Sequence, residues 1–211
     1  MTKKNFIDLV IHRLNGGNST PDTKSKYHPE VVSKYIELAF SSIINTIQNQ
    51  SVKYRDFGQL DSYTVTYSPI TVTYDSTRKE YYSELPANIM SLYKNRGIRF
   101  ITPVYDQSYH FIYRENNTSN IYNELEVSMM EDKPRWYLEG NTVYYDKGNM
   151  KQEIIDSGVL MKLIVPLSEI DEDTNMPIPA GQEKFVLDFV FSYIQEMMPE
   201  DVNNDSNSKQ V

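Results

Sequence analysis

The sequence predicts an α+β protein in which N- and C-terminal helices form a small bundle and the middle forms a β-rich, mostly antiparallel body. Two observations predict this class. Apolar residues recur at helical spacing near both ends of the 211-residue chain, as a helix with one buried face requires. Between about residues 59 and 165 the pattern changes to β-branched and aromatic residues that alternate with polar ones, which is typical of strands.

Two helices are predicted in the first third of the chain. The first covers residues 5–14 and ends at Gly16-Gly17, a usual helix terminator. The second begins at Pro29, because a first helical turn tolerates proline, and runs to about Gln50. Its apolar stripe is wider than one core contact needs, so we expect it to pack on two partners, one of which could be another subunit. The stripe consists of Val32, Ile36, Ala39, Ile43 and Ile47.

Strands are predicted through the middle of the chain. Two early segments, Tyr63–Tyr67 and Thr71–Tyr74, are separated by Pro69. Proline cannot donate to a strand ladder, so we expect an edge, a bulge or a strand break there. Gly140-Asn141 predicts a tight hairpin turn. The other predicted strands cover residues 98–104, 109–114, 135–138, 142–146 and 159–165.

A third helix is predicted over residues 183–198, before Pro199. Its apolar side chains cover most of its circumference and are interrupted only by Asp188, Ser192, Gln195 and Glu196. A helix that is apolar nearly all round should be buried on most sides.

The predicted organisation has four parts. Residues 1–58 form an N-terminal helical part and residues 59–168 form the β-rich body. Residues 169–198 contain an acidic loop and the C-terminal helix, which packs with the N-terminal helices. Residues 199–211 are polar enough to be a tail that is disordered unless a partner orders it.

Composition excludes several classes of function. The chain has 21 Lys and Arg against 29 Asp and Glu, a net charge of −8, which argues against a protein that mainly grips nucleic-acid phosphates. It has no cysteine, so disulfides, zinc–thiolate sites and cysteine nucleophiles are excluded. No apolar run is long enough to predict a membrane span.

Motifs for catalysis are missing from the sequence. There is no phosphate-binding glycine loop, no serine nucleophile motif and no zinc-protease motif. The best metal lookalike is the acidic loop, where Asp171, Asp173 and Asn175 match the first three ligands of a calcium loop. Met176 then stands where glycine is needed, and Gln182 where a glutamate belongs. We interpret the segment as a solvated loop, with cation binding left open, and predict no catalytic residue, metal or cofactor.

Six apolar residues are candidates for an interface or for the core. They are Phe185, Phe189, Tyr193, Met197, Ile36 and Ile43. For the first three, a place in the core is the preferred interpretation, because large apolar residues at helical spacing are usually buried.

Three stretches occur in an order that resembles a known family. The first comprises residues 5–10 and 31–40 of the opening helices. The second comprises residues 85–89, 97–104 and 136–145. The third is Leu163-Ile-Val-Pro-Leu167, then the acidic loop, Ile178-Pro179 and the C-terminal helix. This order, over about 190 residues, resembles the head-to-tail connector proteins, also called adaptor or ring proteins, of short-tailed and crAss-like phages.

The resemblance implies a structural role without catalysis. Such proteins form homo-oligomeric rings, dodecameric to match a portal, at the head–tail junction of the virion. The implied partners are the portal protein and other tail or ring proteins, and genomic DNA passes through the ring during ejection without specific binding. No membrane partner is implied. The family has no catalytic residues to transfer to this chain.

Two other functions stay open from the sequence. A tail module that contacts a carbohydrate or a host receptor should present an exposed aromatic platform. A small hydrolase would need a carboxylate pair that the fold brings together, because the spacing of such pairs cannot be read from sequence.

Overall fold

The computed structural model describes residues 1–16, 28–54, 58–92, 97–114, 133–146 and 150–197. The chain divides into two compact units, one made of Met1–Asp56 with Ile170–Val211 and the other of Phe57–Glu169. The predicted α+β class is confirmed, with helices at both ends and a mostly antiparallel middle. The predicted tail, residues 199–211, lies outside the described residues.

The described residues form five α-helices, one 3₁₀ turn and eight strands. The helices are α1 (Lys3–Leu14), α2 (Pro29–Tyr54), α3 (Gly58–Asp61), α4 (Gln152–Ser157) and α5 (Glu183–Met197), and the 3₁₀ turn is Leu167–Glu169. The strands are β1 (Val65–Ile70), β2 (Thr73–Asp75), β3 (Glu80–Glu84), β4 (Ile98–Pro103), β5 (Ile112–Tyr113), β6 (Arg135–Glu139), β7 (Thr142–Tyr145) and β8 (Val159–Leu163).

Helices α1, α2 and α5 pack against one another in the helical unit. Each buries the apolar stripe that the helical period predicts, and burial of each large side chain contributes on the order of 2 kcal/mol. Helix α2 extends beyond its predicted end at Gln50 to Tyr54, and within this extension Ser51 is buried. The core of the unit includes Phe6, Val10, Ile36, Ile43, Ile44, Val186, Val190 and Ile194.

Two sheets form the β-rich unit. One has three antiparallel strands in the order β1-β8-β4, and the other has five in the order β2-β3-β7-β6-β5, of which only the β5–β6 pair is parallel. The prediction for Pro69 is confirmed, since β1 is an edge strand of the first sheet and its register shifts between Tyr67 and Ile70. The Ser68–Pro69 bond in this strand is cis.

The predicted hairpin at Gly140-Asn141 is confirmed. Glu139 pairs with Thr142 across a two-residue turn, and Gly140 has the positive φ of 61° that such a turn needs. The predicted strand 109–114 is too long, because only Ile112–Tyr113 form a strand there. A turn precedes it, in which Asp106 Oδ1 accepts the Ser108 N–H at 3.0 Å and the Asp106 carbonyl accepts the Tyr109 N–H at 3.2 Å. The sequence patterns missed β3 and α4.

Gly158 connects α4 to β8 in a conformation that only glycine adopts easily, with φ 77° and ψ −175°. A Cβ at this position would lie 2.6 Å from the backbone oxygen of Ile70 in β1. The strand β8 therefore reaches its register beside β1 only because residue 158 has no side chain.

We expect Gly158→Ala to lower the free energy of unfolding of the β-rich unit by about 3 kcal/mol or more, because it adds backbone strain and a clash with backbone. Gly140→Ala is the matched control, since residue 140 also has a positive φ but a Cβ there meets nothing within 4 Å. Gly140→Ala should lower the free energy of unfolding by about 1 kcal/mol. Urea unfolding of both variants measures the difference, and equal losses would contradict this account of Gly158.

Candidate functional site

The six candidate residues separate into two groups. Ile36 and Ile43 are 2% and 3% exposed and belong to the core of the helical unit. The other four lie four residues apart along α5 and form one line, here called the α5 stripe, which consists of Phe185, Phe189, Tyr193 and Met197.

The ends of the α5 stripe are exposed. Phe185 is 59% exposed and Met197 is 51% exposed, while Phe189 and Tyr193 are half-buried and their rings stack with centroids 6.3 Å apart. The preferred interpretation of Phe185 as a core residue is therefore wrong. The expectation that α5 is buried on most sides is also wrong, because its buried residues are Val186, Val190 and Ile194.

Packing against α1 explains which side of α5 is left exposed. The guanidinium of Arg13 lies 4.5 Å from the centre of the Phe191 ring and forms an ion pair with Asp188. At about 100° per residue, Phe191 lies on the side of α5 opposite Phe189 and Tyr193. Helix α1 therefore covers the Phe191 side, and the α5 stripe lies on the side away from α1.

A second apolar surface lies on α2. Val31 is 40% exposed, Leu38 is 54% exposed, and Tyr35 between them is half-buried. Their spacing of four and three residues places them on one side of the helix, here called the α2 face. Lys34, which is also exposed, lies along the same face. The helical unit thus presents two exposed apolar surfaces on different helices.

The β-rich unit has an aromatic row on its five-stranded sheet. Tyr82, Tyr144 and Tyr137 stand directly opposite one another on β3, β7 and β6, and they are here called the tyrosine row. Ring centroids are 6.2 Å apart between Tyr82 and Tyr144 and 5.3 Å apart between Tyr137 and Tyr144. Arg78 lies over Tyr144 at 4.6 Å, and Arg114 lies over Tyr137 at 4.9 Å.

Carboxylates complete the network around the tyrosine row. Arg78 donates two hydrogen bonds to Glu139, which hold the pKa of that carboxyl below its usual range. Arg114 donates to Asp146 at 2.8 Å, whereas burial raises the pKa of Asp146. Because guanidinium groups lie over two of its three rings, the row is not an open platform of the kind that sugars stack on.

The hydroxyl of Tyr137 donates to Glu80 Oε2 at 2.5 Å. Burial of the ring, and then this hydrogen bond, raise the pKa of Tyr137 from its ordinary value of 10.0 to about 12. The three carboxylates beside the row, Glu80, Asp146 and Glu139, are thus engaged by Tyr137, Arg114 and Arg78, respectively. The sequence could have indicated the Tyr137–Tyr144 pair, because a two-residue turn at Gly140-Asn141 makes these residues cross-strand partners.

The acidic loop holds the start of the chain. Its carbonyl oxygens at Glu172 and Thr174 accept the backbone N–H groups of Lys4 and Lys3, at 2.9 Å and 3.0 Å. Lys3 Nζ also donates to the Ile170 carbonyl at 3.0 Å. A calcium loop binds the ion mainly through the side chains of alternate residues, which here are Asp171, Asp173 and Asn175. In the part of the chain that the structure describes, no three potential metal-ligating side chains are grouped around a common point.

A cleft of about 410 Å³ lies in the helical unit between α1, the start of α2 and the acidic loop. It is lined by two lysines, Lys4 and Lys34, and three carboxylates, together with Ile7, Pro29 and Ser33. Because both signs of charge line it, the cleft has no evident preference for an anionic or a cationic ligand. The carboxylates are Asp8, Glu30 and Glu172.

We expect Tyr137→Phe to lower the free energy of unfolding at neutral pH by about 1–2 kcal/mol, because it removes a hydrogen bond to a charged acceptor. The folded-state pKa is raised, so the stabilisation is present below pH 10 and is lost as the pH rises to about 12. The difference in free energy of unfolding between the wild type and Tyr137→Phe should therefore narrow between pH 10 and about pH 12. Tyr82→Phe removes a hydroxyl from the same row without touching Glu80 and serves as the control. A difference that stays constant from pH 9 to 12 would contradict this role.

Comparison with known proteins gives no assignment for these surfaces. No protein-family model matches the chain, and no curated protein sequence matches it. Among the helices of the described residues, none is long and apolar enough to cross a membrane.

Proposed function

We propose that this protein is a ring-forming structural subunit of a tailed-phage virion, located at the portal–tail junction and without enzymatic activity. The observation that carries the proposal is the α5 stripe, because its large apolar side chains at Phe185 and Met197 remain exposed. Contiguous exposed apolar surface on a folded protein marks an interaction site. The resemblance to connector proteins supplies the kind of assembly.

In the proposed role, identical subunits join head to tail and the contacts close into a ring, dodecameric to match a portal. The portal protein and other tail or ring proteins bind its two rims. DNA passes through the ring during ejection, and the net charge of −8 supports passage without capture because like charges repel. The subunit assembles in the host cytoplasm and resides in the virion.

The other two functions receive less support. A tail module that contacts carbohydrate would use an open aromatic platform, but arginines lie over two of the three rings of the tyrosine row. A hydrolase would use carboxylates that can exchange protons with a substrate. Asp146 is instead paired with Arg114, and Glu80 accepts the Tyr137 hydroxyl.

We expect the wild-type protein to form a closed oligomer of defined mass by light scattering. Phe185→Lys should raise the dissociation constant of that oligomer at least about tenfold, because a buried unpaired charge costs more than the 1.4 kcal/mol that this factor represents. Gln195→Lys adds the same charge at an exposed position on the far side of α5 and should leave the oligomer unchanged. Unfolding curves of both variants control for loss of the fold.

Two outcomes would overturn the proposal. One is a wild-type protein that stays monomeric both alone and with the portal protein of the phage that encodes it. The other is an oligomer that Phe185→Lys and Gln195→Lys affect equally.

A further inference from the structure

A closed ring requires two different surfaces on each subunit. A surface that pairs with itself makes a two-fold dimer, whereas two distinct surfaces that meet head to tail make a ring when the rotation closes. The helical unit offers two such surfaces, the α5 stripe and the α2 face, and both combine exposed ends with a half-buried aromatic centre.

One exposed charge on each surface is opposite in sign to one on the other. The exposed Lys34 lies along the α2 face beside Val31 and Leu38. The exposed Glu196 lies along the α5 stripe, next to Tyr193 on the helix surface. When the two surfaces meet, a lysine and a glutamate share the rim of one apolar contact. Opposite charges at a rim favour this pairing and fix its register.

The two surfaces differ in length, but the shorter one fits within the longer. Phe185 and Met197 are separated by 12 residues, and Val31 and Leu38 by seven, so at 1.5 Å per residue the surfaces are about 18 Å and 10 Å long. Two helices that pack with side chains interdigitated lie at interaxial distances of about 8–10 Å. The short face fits within the long stripe.

We propose that the α5 stripe of one copy packs on the α2 face of a neighbouring copy, with Glu196 and Lys34 at the rim of the contact. The proposal rests on the proposed ring and names the two surfaces that join its subunits. It makes Leu38 and Met197, which are far apart in sequence, neighbours across the subunit boundary.

The absence of cysteine permits a direct test by cross-linking. Leu38→Cys and Met197→Cys are made as separate full-length variants, and each is treated with a short bismaleimide alone and after subunit exchange with the other. We expect covalent dimers in the mixture and none above background in either variant alone. Because each chain carries a single thiol, links within one chain cannot form.

Four outcomes overturn the contact. Dimers from Met197→Cys alone indicate that the α5 stripe pairs with itself, and dimers from Leu38→Cys alone indicate the same for the α2 face. No dimers in the mixture, while light scattering still shows a closed oligomer, refutes this contact and leaves the proposed function standing. A wild-type protein that is monomeric both alone and with the portal protein refutes the contact and the proposed function together.

A second measurement tests the charges independently of the cross-linker. Lys34→Glu and Glu196→Lys should each raise the dissociation constant of the oligomer, and the double variant should restore it, because every contact then again holds one charge of each sign. If the double variant instead weakens the oligomer by the sum of the two single effects, the charge pairing is refuted. Thermal unfolding of all three variants shows whether the fold is kept.

Discussion

A helix in a three-helix unit can bury only the side that faces its two neighbours, and α5 carries more apolar surface than that side holds. Val186, Val190 and Ile194 fill the buried side. Helix α1 covers one flank through the contacts of Arg13 with Phe191 and Asp188. The opposite flank is left with Phe185, Phe189, Tyr193 and Met197. Selection for stability of a lone subunit would favour polar residues there, and the proposed association of subunits would cover this excess.

The same unit shows how the start of the chain is tied to the acidic loop that precedes α5. The first four residues bind along the acidic loop through backbone hydrogen bonds at Glu172, Thr174 and Met176. The loop leads to α5, and α5 packs on α1 and α2. A segment that resembles a calcium loop in sequence is therefore a structural connection in which main-chain groups, rather than carboxylates, make the contacts.

The sequence predicts a helix or a turn where the residues that determine it are close together in the chain. The helical period predicts α1, α2 and α5, and Gly140-Asn141 predicts the hairpin that aligns Tyr137 with Tyr144. Strand β3 was missed because the turn before it has no glycine. Lys79 adopts the positive φ of 60° there, and Asp75 supplies the hydrogen bonds that close the turn. The exposure of the α5 stripe was missed for another reason, since apolar periodicity reveals how much surface a helix can bury and not how many neighbours it has.

In the proposed ring, the α5 stripe lies at a boundary between identical subunits. A cryo-EM map of the purified protein, alone or bound to portal, tests it most directly. The account predicts a closed ring in which density from a neighbouring copy covers Phe185 and Met197. A ring whose subunits meet elsewhere and leave these two side chains facing solvent would contradict the claim.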